Sequence, residues 1–98
     1  MVNKPLNERK AKGVFKVEND RGLHTRPSTE IVKCAVGFKS EVLLTHQKNK
    51  ANAKSLLGIL MLAAAKGAKI SVEARGEDAE LAVESLITLA HNNFNIHY

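Results

Sequence analysis

The sequence predicts an α+β domain of two layers, in which helices cover one face of a β-sheet and water covers the other. Its 98 residues suffice for one domain, because two halves of this size would bury too little apolar surface to fold without disulfides or metal. Three segments alternate apolar and polar side chains, which is typical of strands buried on one face only. Apolar residues at helical spacing occur between and after these segments. The predicted order of elements is therefore strand, helix, strand, strand, helix, strand, helix.

The first strand is predicted over residues 14–18. Phe15 and Val17 lie on one face of this segment and two charged residues lie on the other. The preceding residues 1–12 show no such alternation and carry four basic residues against one acidic residue. We therefore interpret residues 1–12 as a basic, flexible N-terminal extension and residues 13–98 as a single domain.

A helix is predicted over residues 25–36, after a polar run that ends at Gly22. Pro27 is tolerated in a first helical turn, and Gly37 is typical of a helix end. The apolar positions at helical spacing are Ile31, Cys34, Ala35 and Phe38. Cys34, the only cysteine, is therefore predicted to be a small core side chain and not a nucleophile.

A hairpin and a second helix are predicted next. Residues 41–45 and 50–52 form the two strands of the hairpin. Ser55 caps an apolar helix that is expected to reach about Ala65, where a Lys-Gly pair ends it.

The last strand and the last helix have strong patterns. Residues 69–74 alternate cleanly, and Gly76-Glu-Asp78 begins a helix. The apolar stripe of that helix consists of Ala79, Val83, Leu86, Ile87 and Ala90.

Composition excludes several function classes. No uncharged segment is long enough for a membrane span or a secretory signal, so we expect a cytoplasmic protein. We also expect a monomer. Glycine-rich phosphate loops and G-x-S-x-G are absent, which argues against a self-sufficient enzyme and against a cofactor. The basic excess lies mostly in the extension, and three Phe with one Tyr offer no evident stacking platform, so nucleic-acid binding is disfavoured unless the extension dominates.

The segment from Gly22 to Pro27 is the strongest candidate site, because it places His24 and Arg26 at the mouth of a helix. Imidazole is a nucleophile that is partly uncharged near neutral pH. The first amides of a helix favour an anion, and since Pro27 lacks an N–H, Thr25 and Arg26 are expected to cradle a phosphate. Taken alone, the segment also fits a capping histidine beside a solvated arginine.

Ser55 is the second candidate. It is predicted to cap the second helix, and a phosphate at a helix N-terminus is tolerated by the helix dipole. Leu56, Leu57 and Leu60 follow, and those that are not core residues are expected to form an apolar docking patch. The other histidines, His46, His91 and His97, have no metal-ligand spacing, so we expect surface residues and no metal site.

These two motifs, Gly22-Leu-His-Thr-Arg-Pro27 and Lys54-Ser-Leu-Leu-Gly58, resemble those of the HPr family of phosphocarriers of the phosphoenolpyruvate-dependent sugar phosphotransferase system. The resemblance runs from about Val14 to Ala90. It implies an open-faced sandwich with four antiparallel strands in the order 1-4-2-3 and three helices on one face.

The resemblance also implies roles for residues. His24 matches the histidine that takes a phosphoryl group on Nδ1 from phosphorylated Enzyme I and passes it to IIA domains, and Arg26 matches the arginine that assists. Ser55 matches the serine that HPr kinase/phosphorylase phosphorylates. Thr25 and Ser28 stand where the family often has alanine. A regulatory binding module controlled through Ser55 stays open as the alternative to a sugar-transport intermediate.

Overall fold

The computed structural model of the protein describes residues 9–96, and four strands, three α-helices and a short 3-10 helix (Asn93–Asn95) lie within them. The strands are β1 (Lys10–Lys16), β2 (Glu41–His46), β3 (Asn49–Asn52) and β4 (Lys69–Arg75), and the helices are α1 (Thr25–Ala35), α2 (Leu56–Met61) and α3 (Ala79–His91). The strands form one antiparallel sheet in the order β1-β4-β2-β3. The predicted fold class and strand order are therefore confirmed.

The core lies between the sheet and the helices. Alternate side chains of the strands point into it, with Phe15, Val42, Leu44, Ile70 and Val72 at most 3% exposed. The helices contribute further buried side chains, among them Ile31, Ile59 and Leu86. Complete burial of one such side chain contributes about 1.5–3 kcal/mol, so this layer fixes how α1 and α2 sit on the sheet.

The first strand begins earlier than the sequence predicted. β1 starts at Lys10, so residues 10–12 pair with β4 and do not belong to an extension; residues 1–8 lie outside the described residues. The inward positions of this segment are Ala11 and Gly13, which are too small to give a visible hydrophobic alternation. Gly13 is small because α3 packs on it: a Cβ there would come 2.3 Å from Ile87 Cδ1.

The second helix is shorter than predicted. α2 ends at Met61, whereas the sequence indicated a helix to about Ala65. Ala63 has a φ of 50°, which stops the helix, and the Ala64 carbonyl accepts a hydrogen bond from the Leu23 amide at 2.9 Å. A tertiary contact therefore ends a segment whose alanines by themselves favour a helix.

The remaining elements agree with the prediction to within two residues, and no helix among residues 9–96 is long and apolar enough to cross a membrane. Cys34 is half-buried against the core, as predicted, and burial raises the pKa of its thiol.

His46 is not the surface residue that the sequence indicated. It is half-buried at the end of β2, and its Nδ1 lies 3.2 Å from the Leu62 carbonyl oxygen, so it ties the hairpin to the residue after α2. His91 is exposed as predicted, and His97 lies outside the described residues.

Asp78 joins the beginning of α3 to the beginning of β2. Its carboxylate accepts hydrogen bonds from the amides of Lys39 and Ser40, both at 2.9 Å, and from the Ser40 hydroxyl. The bond from that hydroxyl, with those from the amides, holds the pKa of Asp78 below its ordinary value although burial opposes it. Neighbouring Gly76 is required here, because a Cβ would come 2.6 Å from Ser40 Oγ.

We expect Asp78→Asn to lower the free energy of unfolding near neutral pH by about 1 kcal/mol, because two backbone amides and the Ser40 hydroxyl lose a charged acceptor that water partly screens. Since folding lowers the pKa of Asp78, its stabilisation is complete above the unfolded-state pKa and is lost as the pH falls through the folded-state pKa. Urea unfolding between about pH 7 and pH 3 should therefore show the two proteins converging in acid. Glu80→Gln, at an exposed carboxylate of α3, is the control. A difference that stays constant down to pH 3 would contradict the assignment.

Candidate functional site

His24 is the N-cap residue of α1. Its backbone is extended, with φ −71° and ψ −172°, and its carbonyl accepts the first helical hydrogen bond, from the Ser28 amide at 3.0 Å. The imidazole makes no capping hydrogen bond, and the residue is exposed. The fold therefore presents the ring to solvent at the helix mouth, and the capping role that the sequence left open is not used.

The turn before His24 is held by backbone contacts. Gly22 has a φ of +68°, and a Cβ there would come 2.3 Å from the Ala64 carbonyl oxygen. Leu23 donates its amide to that same oxygen, and its own carbonyl accepts from Ser28 Oγ at 3.0 Å. The buried Asn19 side-chain amide donates to the Gly22 carbonyl. These contacts fix where the His24 backbone leaves the turn.

The mouth of α1 suits an anion. Thr25 and Arg26 are its first two residues, where backbone N–H groups point out of the helix end. Pro27 is buried and has no N–H to offer, and the first turn contains no acidic residue. The positive end of the helix dipole therefore faces the His24 side without a competing carboxylate.

A shallow depression of about 380 Å³ lies on this side of the imidazole, lined by Arg21, His24, Thr25 and Arg26. The structure thus brings together the three predicted residues and adds Arg21. Sequence reasoning missed Arg21, because its polar run indicated only the end of a strand. Two guanidinium groups beside one imidazole give the site donors matched to phosphate oxygens.

A second depression of about 330 Å³ also borders His24 and Arg21, and the rest of its lining is apolar. Its walls come from Leu23, Leu60 and residues 63–65. Beyond it, Leu57 and Met61 are 69% and 74% exposed on α2, and Leu56 is 37% exposed. Of the three predicted docking leucines, Leu60 therefore lines the wall next to His24, and the other two lie on an open apolar surface that also includes Met61.

Ser55 caps α2 as predicted. Its Oγ accepts a hydrogen bond from the Gly58 amide at 3.1 Å, and the residue is half-buried. Ser55 and Leu60 are about 8 Å apart along the helix axis. A partner that covers the apolar wall beside His24 therefore comes close to Ser55 as well.

Comparison with known proteins identifies relatives. A family model described as the PTS HPr component phosphorylation site matches residues 11–92. The phosphocarrier protein HPr of Neisseria meningitidis serogroup A is 40% identical over 80 residues, which are 82% of this chain and 90% of that protein. The crystal structure of HPr-C-His from Thermoanaerobacter tengcongensis matches with a TM-score of 0.84 at 31% identity, covering 90% of this chain and 99% of that chain.

A regulatory protein is also among the similar structures. Crh, the catabolite repression protein of Bacillus subtilis, matches with a TM-score of 0.69 at 31% identity and covers 95% of this chain and 97% of its own. The family model and the relatives all cover most of the chain, and the residues they cover include the helix mouth described above. The chain therefore belongs to the HPr family of phosphocarrier proteins of the phosphotransferase system.

Proposed function

We propose that the protein accepts a phosphoryl group from phosphorylated Enzyme I on Nδ1 of His24 and passes it to sugar-specific IIA domains, in the cytoplasm where phosphoenolpyruvate is made. The observation that carries this proposal is the exposed imidazole at the mouth of α1, which borders both a cationic depression and a second one lined by Leu23, Leu60 and residues 63–65. Membership of the HPr family supports the general phosphocarrier role.

The transfer exchanges one P–N bond for another. The bond between phosphorus and the donor imidazole of Enzyme I breaks as the bond to His24 Nδ1 forms. In the second transfer the bond between phosphorus and His24 Nδ1 breaks as phosphorus bonds to a nucleophile of the IIA domain. Little covalent machinery is needed, so positioning and charge stabilisation decide the rate. Because Arg21, Thr25 and Arg26 line the depression beside His24, we expect the amides of Thr25 and Arg26 and the two guanidinium groups to stabilise the phosphoryl oxygens.

Two incubations test the proposal. The protein is incubated with phosphoenolpyruvate and Enzyme I, and separately with ATP and HPr kinase/phosphorylase, and intact mass is measured in each case. We expect an acid-labile phosphoryl adduct from the first and an acid-stable one from the second. An adduct that forms only in the incubation with ATP and HPr kinase/phosphorylase would favour the regulatory binding module over the carrier.

Arg26 is expected to assist the transfer without accepting the phosphoryl group. Arg26→Ala removes a charged donor worth about 1.5–3 kcal/mol, which slows labelling by Enzyme I roughly tenfold to a hundredfold if the loss falls on the transition state. Arg26→Lys keeps the charge but loses the fork of donors, so it should recover only part of the rate. Rapid-quench labelling measures both variants, with Lys33→Ala on the same helix as control. A wild-type rate in Arg26→Ala would remove Arg26 from the site.

The second part of the proposal is regulation at Ser55. A phosphate on Ser55 would enter the contact that a partner makes with the α2 surface, where desolvating about two charges costs free energy. An acidic partner would add repulsion. The favourable helix dipole lets α2 persist, so docking weakens without unfolding.

We therefore expect the phosphoserine form, or Ser55→Asp, to slow transfer from Enzyme I to His24 while the circular dichroism spectrum stays unchanged. Ser55→Ala controls for loss of the cap, which should lower stability by about 1 kcal/mol. Transfer at the wild-type rate in phosphorylated protein would leave Ser55 as a helix cap alone. A lost helical signal would show that phosphorylation acts by unfolding.

A further inference from the structure

The open face of the sheet, on the side away from the helices, is strongly basic. Its side chains alternate with the buried ones along each strand, and those at its charged positions are Lys10, Lys12, Lys16, Lys50, Lys69 and Arg75 against Glu41 and Glu73. This face therefore carries a net charge of +4, compared with +5 for the whole chain. Since the sequence predicts Lys10 and Lys12 to lie in an extension, it does not reveal this concentration of charge.

Two pairs of cations lie directly opposite each other across neighbouring strands. Lys10 is paired with Arg75 at one end of β1, and Lys16 is paired with Lys69 at the other end. Like charges in such positions destabilise a sheet. The ion pairs within residues 9–96, Lys33–Glu30, Lys39–Glu77 and Lys66–Asp20, do not involve this face. Two of its cations do lie opposite carboxylates, Lys12 opposite Glu73 and Arg75 opposite Glu41. Lys10, Lys16, Lys50 and Lys69 have no carboxylate directly opposite them, so these four cations stay available to an external anion.

The chemistry of the face favours phosphate over other anionic partners. Protein interfaces are depleted in lysine and rely on aromatic or apolar anchors, whereas five of these six cations are lysines. Among the described residues, no aromatic side chain lies on this face, so bases find no stacking platform here. Its apolar side chains are the exposed Val14 and the half-buried Leu43. A membrane-binding surface needs several large apolar side chains to insert, which this face lacks.

The cations follow the direction of β1 and β4. Side chains two residues apart on one strand are about 6.7 Å apart, which is comparable with the distance between neighbouring phosphates of an extended single strand. From Lys10 to Lys16 the row spans about 20 Å, enough for three to four phosphates. We propose that this face binds the phosphate backbone of single-stranded nucleic acid without reading its bases.

This proposal does not depend on the proposed function. His24 belongs to the helical layer, and the basic row lies on the other side of the sheet. A carrier that fails to receive a phosphoryl group is therefore expected to bind nucleic acid unchanged, and the reverse also holds.

The test uses fluorescence anisotropy of a labelled uridine 12-mer in low salt. We expect weak binding. The logarithm of the association constant should fall with the logarithm of the salt concentration with a slope of about −2, as the neutralisation of three phosphates requires. Lys10→Glu/Lys69→Glu places a carboxylate opposite Arg75 and opposite Lys16, so it should weaken binding about tenfold without lowering the melting temperature. Lys33→Glu/Lys48→Glu makes the same change in net charge away from the face and should change binding less than about twofold.

Other outcomes would overturn the proposal. These are equal losses in both double variants, binding that salt does not weaken, or a loss of binding in His24→Ala. Vesicles that contain phosphatidylserine form a further arm. Cosedimentation that is tighter than oligonucleotide binding, and that Lys10→Glu/Lys69→Glu abolishes, would assign the face to a membrane instead.

Discussion

His24→Ala is expected to lose all labelling from phosphoenolpyruvate and Enzyme I, because among the described residues 9–96 His24 provides the one imidazole at the mouth of α1. Since His24 is exposed and makes no capping bond, the substitution should change the free energy of unfolding by less than about 0.5 kcal/mol. Intact mass is measured after incubation at neutral and at acid pH. The wild-type protein should carry a phosphoryl adduct that acid removes, and the variant should carry no adduct at either pH.

His91→Ala is the matched control, because His91 is also an exposed histidine, at the end of α3. It should be labelled at the wild-type rate. Continued labelling of His24→Ala would place the acceptor elsewhere and would end the carrier proposal for this residue. Labelling lost in both variants would point to a general defect in docking.

Gly22→Ala is expected to have the largest effect on stability. A residue with a side chain loses about 1–2 kcal/mol in the left-handed conformation that Gly22 adopts. The new Cβ would also come 2.3 Å from the Ala64 carbonyl oxygen and 2.9 Å from Ala65 Cα, and backbone atoms cannot move aside cheaply. We expect a loss of about 2–4 kcal/mol in urea unfolding, together with slower labelling because the turn that positions His24 shifts.

Gly67→Ala separates the two causes of that loss. Gly67 also has a positive φ, of +90°, but no heavy atom lies within 4 Å of a Cβ placed there. The Gly67→Ala variant should therefore lose only the conformational part of the free energy of unfolding, about 1–2 kcal/mol, and should be labelled at the wild-type rate. Equal losses in the two variants would show that the close approach of Gly22 to the α2–β4 loop is unimportant.

The sequence predicts best where local chemistry decides. The helix mouth at His24, the cap at Ser55 and the beginning of α3 after Gly76 all follow from residues adjacent in the chain, and the structure has each of them. Strong alternation in β4 and the apolar stripe of α3 likewise reflect burial on one face.

The failures have tertiary causes. The beginning of β1 is hidden because its inward residues, Ala11 and Gly13, are small enough to accommodate α3. The end of α2 is set by a hydrogen bond from Leu23 to Ala64, which helix propensity cannot reveal. Arg21 stands beside His24 only because the turn folds back, so no spacing rule identifies it.

The strand order has a consequence for synthesis of the chain. β4 is the last strand to leave the ribosome, and it lies between β1, the first, and β2. The nascent chain therefore exposes hydrogen-bonding edges of β1 and β2 until residue 75 has emerged. Contacts of such long sequence separation slow folding, because the chain loses the entropy of loop closure before strand pairing can stabilise it. The sheet is therefore completed late, when β4 inserts between β1 and β2. Truncated products that lack β4 are expected to aggregate through the unpaired edges of β1 and β2.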